Sequence, residues 1–128
     1  MAHLVFCLRR LPHLTREQFQ AYWRDVHAPL VRSHAEALGL SAYVQSHALP
    51  EDAGKGLSRE RGSPPGFDGI AQLWWQDRTL TPEQKEAARR ANAALLADER
   101  TFIDLAASPL FLVQDHEVLR MFAQSRAA

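Results

Sequence analysis

Apolar positions along the first fifty residues change period twice, and the changes mark three elements. "HLVFCLRR" (3–10) is a short apolar run that predicts a strand. "LTREQFQAYWRDVHAPL" comes next, with Phe19, Trp23, Val26, Leu30 and Ala37 on one stripe at a period near 3.6 residues, the pattern of an amphipathic helix that runs to the Gly39 stop signal. Thr15 is its N-cap, Gln18 at N3 completes a capping box, and Leu14 is placed to staple onto Phe19. "LSAYVQSHAL" (40–49) has β-type residues in partial alternation and predicts a second strand.

Residues 50–66, "PEDAGKGLSRERGSPPG", lack apolar periodicity and are crowded with Pro, Gly, Ser and charge, so a long loop is expected there. Loops of this length inside compact domains tend to be lids or disordered segments. "FDGIAQLWWQ" (67–76) predicts a third strand. "LTPEQKEAARRANAALLADE" then repeats the earlier helix start, with Thr81 as cap, Pro82 at N1 and Gln84 at N3. "PLFLVQDHEVL" (109–119) predicts a fourth strand.

The order βαββαβ implies an α+β class and a ferredoxin-like fold, a four-stranded antiparallel sheet with two main helices on one face. Such a sheet, open on its other face, should alternate apolar and polar residues along each strand. "LVFCL", "LFLV" and the adjacent Trp74 and Trp75 instead put bulk on both faces. One tryptophan should then face the helices and the other the open side. Covering that side calls for a partner, most simply a second copy of the chain, so a homodimer is expected.

Composition narrows the functions. A chain of 128 residues, 46% of them hydrophobic, fits one domain with its own core. Fifteen basic residues balance fifteen acidic ones, so no global field recruits nucleic acid or an anionic membrane. Cys7 is the sole cysteine, which precludes an intramolecular disulfide and suits the cytoplasm. The apolar stretch of "MAHLVFCLRR" is short for a signal sequence and precedes its charges, and no segment approaches a transmembrane length.

The candidate chemistry centres on His27, one turn beyond Trp23 at the edge of the apolar stripe, with Pro29 loosening the helix beside it. His27 is either a hydrogen-bonded core histidine or a proton-transfer group at a pocket wall. His34 also lies toward the cleft, but seven residues separate the two by about 10 Å along the axis, too far to share a metal ion. No metal and no organic cofactor is implied. Tyr43 is the best partner, because the first helix folds back over the second strand, and its phenol could orient a carbonyl or donate a proton. Asp68 could orient His27, bind ligand, or start a strand through a turn before Gly69. Trp74 could stack on a ligand, and Trp23 and Gln72 complete the candidate ligand-binding set. No nucleophile elbow or glycine-rich phosphate loop is present, and "LSRERGS" reads as a solvated charged loop.

"RLPHLTREQFQAYWRDVHAPLV", followed by "FDGIAQLWW" and "DERTFID", resembles the EthD domain family. The most specific part is the F-x-x-x-W-x-x-x-H-A spacing from Phe19 to Ala28, with Asp68-Gly69 and then Asp98, Phe102 and Asp104 in support. The resemblance implies a branch of the dimeric α+β barrel superfamily, in which two ferredoxin-like chains pair their sheets. That superfamily includes polyketide cyclases, muconolactone isomerases, cofactor-free oxygenases and haem-binding enzymes. The EthD branch is associated with degradation of ethers and aromatic compounds. Where the third strand in such proteins often carries an acid, this chain has Gln72, which removes a carboxylate base from that position. The expectation is a protein binding an apolar or aromatic carbonyl compound and catalysing isomerisation, cyclisation or elimination through His27. The alternatives are a noncatalytic dimeric accessory protein and a cofactor-free oxygenase.

Overall fold

The structure, a computed structural model, describes residues 2–50 and 53–120. The elements are β1 (Ala2–Leu8), α1 (Arg16–Tyr22), a π-helical turn (Trp23–His27), α2 (Ala28–Ser33), α3 (Ala35–Leu38), β2 (Leu40–His47), α4 (Lys55–Arg61), β3 (Gly69–Trp75), α5 (Pro82–Glu99) and β4 (Leu110–Gln114). The strands form one antiparallel sheet in the order β2-β3-β1-β4. That is the ferredoxin-like split βαβ arrangement expected from the element order. No helix among the described residues is long and apolar enough to cross a membrane.

Both capping boxes form, Thr15 with Gln18 and Thr81 with Gln84. Leu14 packs on the cluster that contains Phe19, as a staple should. Two strands are shorter than their apolar runs. β1 stops at Leu8 because the Arg10 N–H leaves the ladder to donate to the Asp68 carboxylate at 2.8 Å. β4 ends at Gln114 rather than 119, where the apolar run gives way to charge.

The cross-strand register sorts the faces. Phe6 pairs with Ala71 and Leu8 with Gly69, while Tyr43, Gln45 and His47 lie opposite Leu73, Ala71 and Gly69. These residues look toward the helices, where Phe6, Leu8, Phe19, Trp23, Phe102 and Ile103 form the core. The alternate set, which includes Val5, Gln72, Trp74 and Val44, looks away from them. The two adjacent tryptophans therefore point to opposite faces. On the helix-free side Val44, Ile70 and Phe111 are 44, 37 and 50% exposed, so bulk on both faces leaves apolar surface open.

The first helix is not the continuous one expected. Pro29 has no N–H for the Asp25 carbonyl, and its ring crowds that carbonyl. The chain widens one turn in response: the Ala28 N–H reaches back five residues to the Trp23 carbonyl. One extra residue in the turn rotates the helix beyond it. Val26, placed on the apolar stripe by a 3.6-residue period, is 49% exposed, and His27 takes the inward position at 4%. The buried stripe runs Phe19, Trp23, His27 and Val31, every fourth residue across the wide turn.

The 50–66 segment also differs from the irregular loop expected. Gly54 and Gly62, both at positive φ, bracket the exposed helix α4 between them. All seven of its residues are exposed, and Leu57 is the one large apolar side chain among them, so it has no apolar face for a periodicity argument to detect. Residues 51 and 52 lie outside the described residues.

Candidate active site

The π turn presents His27 to the last turn of α5. His27 Nδ1 lies 2.7 Å from Asp98 Oδ2, and the Tyr22 hydroxyl donates to Asp98 Oδ1 at 2.5 Å. A carboxylate only accepts, so the proton between Asp98 and His27 belongs on Nδ1, and Nε2 is left with its lone pair. Phe102 packs beside the imidazole with ring centroids 5.0 Å apart and fixes its plane. Burial pushes the His27 pKa below its usual 6.5, with the hydrogen bond to Asp98 opposing that shift. The imidazole is therefore neutral at pH 7, oriented and basic at Nε2.

His27 lines a cavity of about 40 Å³ between the helices and the sheet. Tyr43 and Glu99 line it too, and Phe6, Leu73 and Leu95 contribute to its apolar wall. Burial raises the Tyr43 pKa above 10.0, which keeps the phenol protonated. Gln45 Nε2 donates to its oxygen at 2.9 Å and positions it, leaving the phenolic proton free to point elsewhere. Burial also pushes Glu99 up to about 7, and the Asp98 charge next door adds to the shift.

A shallower groove of about 260 Å³ adjoins this cavity and shares Val31 and Tyr43 with it. Ala28, Ala35 and Ala42 give the groove a low apolar wall, and Arg32 is its one charged residue. Ser41 stands at a register slip between β2 and β3, and the bulge bends the strand where the groove opens.

The residues expected at the site from the sequence divide between places. His27, Tyr43 and Trp23 line the inner cavity, Trp23 as a 1% exposed wall whose ring lies tilted against His47 with centroids 4.4 Å apart. Asp68 is not with them. It is 4% exposed and takes the Arg10 guanidinium, the Arg10 N–H and, at 3.1 Å, Arg16 Nε. Both of its oxygens are engaged in clamping the end of β1 and the start of α1 to the start of β3, and it does not line the His27 cavity. Gln72 and Trp74 lie on the opposite face of the sheet. There His3, 2% exposed, stacks on Trp74 at 4.4 Å and pairs through Nε2 with Gln72 Oε1 at 3.0 Å. His34 lines neither space. Among the described residues no three His, Cys, Asp or Glu side chains gather as a metal site.

Asp98 and Glu99 were not among the site residues expected. Asp98 stands in "DERTFID", but its pairing with a histidine 71 positions earlier depends on how α5 crosses the π turn. Glu99 has the sequence appearance of a solvated residue at a helix end.

The fold and the motif both have counterparts. A family model described as the EthD domain matches residues 11–106. An ethyl tert-butyl ether d (EthD) family protein from Bacillus halodurans C-125 superposes with a TM-score of 0.57 at 17% identity, over 91% of this chain and 100% of that one. An EthD-like protein from Ralstonia eutropha JMP134 gives 0.55 at 21% identity, over 88% and 90%. HapK from Hahella chejuensis gives 0.53 at 9% identity, over 96% and 98%. At these identities the structural likenesses establish the fold alone, and no curated protein matches the chain. The family match spans most of the chain, and it coincides with the helix, π turn and α5 end that build the cavity: the chain belongs to the EthD domain family.

Proposed function

We propose that this protein binds an apolar or aromatic carbonyl compound and moves a proton on it without an organic cofactor, with His27 Nε2 as the general base. The observation that carries the reading is the 2.7 Å contact between His27 Nδ1 and Asp98 in the wall of a cavity that Tyr43 also lines. A histidine held at one nitrogen by a carboxylate and kept neutral by burial is equipped to accept a proton at the other. Tyr43 is the group that orients the carbonyl oxygen. The apolar groove beside it receives the ring, and Trp23 closes the inner end.

The test uses ketones with acidic α-protons, 2-indanone and 2-tetralone, and follows their exchange in D₂O by proton NMR. The wild-type protein should accelerate exchange, and His27→Gln should lose about 10²-fold or more of that rate while its circular dichroism and melting stay near wild type. A stable His27→Gln protein that exchanges at the wild-type rate would remove the base. A noncatalytic binding or accessory role is the second reading, favoured by an inner cavity of only about 40 Å³, which holds a carbonyl group but not a ring.

The same proposal includes a homodimer formed through the helix-free sheet face. Exposed Val44, Ile70 and Phe111 support it, since two helices cover one face only. Sedimentation at micromolar concentration should give two chains, and Phe111→Asp should shift the protein toward one. A wild-type monomer would contradict this assembly. The single unpaired Cys7 is in keeping with a reducing, cytoplasmic setting.

A further inference from the structure

We propose that Glu99 is a second catalytic group of the cavity, the acid that protonates the carbonyl oxygen while His27 takes the neighbouring carbon-bound proton, which makes the reaction a proton-shift isomerisation. This rests on His27 acting as the base.

The argument begins with two consecutive acids at the end of α5. Asp98 is fully engaged, by His27 on one oxygen and Tyr22 on the other. Glu99 lines the cavity one turn after Leu95 and makes no side-chain hydrogen bond or ion pair among the described residues. The rest of its surroundings is apolar: β1 contributes Phe6 and Leu8, and β3 contributes Ala71 and Leu73. The titratable groups facing the same space are His27 from the π turn and Tyr43 from β2. Asp98 and Arg100 flank Glu99 on its own chain segment.

A carboxylate in that position would lose water without gaining a partner, and it would sit at the negative end of the α5 dipole. The acid form is favoured for both reasons. Burial and the Asp98 charge carry Glu99 up to about 7, and Arg100 opposes them. Tyr43, raised above 10.0, is far the weaker acid of the two that reach the cavity. Acid catalysis near neutral pH therefore falls to Glu99, and Tyr43 is left to position the oxygen.

The step balances without a co-reactant. His27 Nε2 takes the α-proton, the C–H electron pair becomes the carbon–carbon double bond, and the carbonyl π pair goes to oxygen, which takes the Glu99 proton. The products are a neutral enol, an imidazolium and a carboxylate. The carboxylate then recovers the enol proton as the imidazolium returns its own to the same carbon or to a conjugated one.

Exchange of 2-indanone and 2-tetralone in D₂O tests this across pH 5–9. The wild-type rate should fall as pH rises through about 7, where Glu99 loses its proton. Glu99→Gln should lower the rate about 10²-fold and abolish the alkaline fall, because an amide does not titrate. Carbon-13 NMR of the labelled glutamate carboxyls, with Glu99→Gln to assign the resonance, should give a midpoint near 7 instead of the ordinary 4.5. A wild-type rate and alkaline limb in Glu99→Gln would overturn this inference and leave His27 as base, as would a midpoint near 4.5. Wild-type exchange by His27→Gln would overturn the reading beneath it, and an inert wild-type protein would overturn both.

Discussion

Asp98→Asn should remain folded and lose on the order of 10²-fold in ketone α-proton exchange, close to the loss expected of His27→Gln. The substitution keeps the size of the side chain and can still accept from the Tyr22 hydroxyl. With its oxygen held there, its amide nitrogen faces His27 Nδ1, across the contact that now measures 2.7 Å. Two donors cannot face each other, so the imidazole must carry its proton on Nε2, where it has no lone pair for the substrate. The pH profile separates this from simple damage. Activity rises as His27 loses its proton, and Asp98 is what opposes the burial-driven fall of that pKa. In Asp98→Asn the acid limb should therefore move to lower pH while the plateau drops. Tyr22→Phe, which leaves the carboxylate on His27, should cost much less. An Asp98→Asn protein with a wild-type plateau and an unmoved acid limb would show that the pair is packing alone.

How much of the fold and site is legible in the sequence differs from element to element. The two "LT-x-EQ" starts announce their helices because capping is local: Thr15 and Gln18, or Thr81 and Gln84, need only three residues of chain to meet. The strand order follows from the element order. The π turn does not, because a proline signals a lost hydrogen bond but not how the helix recovers. A 3.6-residue period puts Val26 inside, and the wide turn exchanges it for His27. Alternation along β3 is enough to separate Gln72 and Trp74 from Ala71 and Leu73. What it cannot supply is the register that sets Tyr43 beside Leu73, and so on the His27 side. The sequence marks Asp68 as a residue of consequence but conceals its purpose. Its partners are the backbone of Arg10 and the guanidinium groups of Arg10 and Arg16, and contacts across more than fifty residues have no local signature.

Gly69→Ala should be the most destabilising single-methyl change in the sheet, by about 3 kcal/mol, the upper end of the usual range for overpacking. Its added carbon would overlap Trp23 Cζ3 and lie 2.7 Å from Cη2 and 2.8 Å from the Ser46 carbonyl oxygen. Neither neighbour yields easily. Trp23 is 1% exposed, and its own carbonyl receives both the Ala28 N–H of the π turn and, at 2.9 Å, Gln45 Nε2. The Ser46 carbonyl belongs to β2 beside the His47–Gly69 pairing. For a chain of this size the loss corresponds to a fall in melting temperature of roughly 10–15 °C. Trp23→Phe removes the outer ring carbons that the new methyl would strike and alone should cost about 1–3 kcal/mol through the space it leaves. The double variant should then be more stable than the two losses summed, by about 1 kcal/mol or more, because the methyl occupies what the indole vacated. Simple additivity in denaturant titrations would mean that Trp23 is not what excludes a side chain at Gly69, and that the close strand-to-helix approach behind the His27 cavity has another cause.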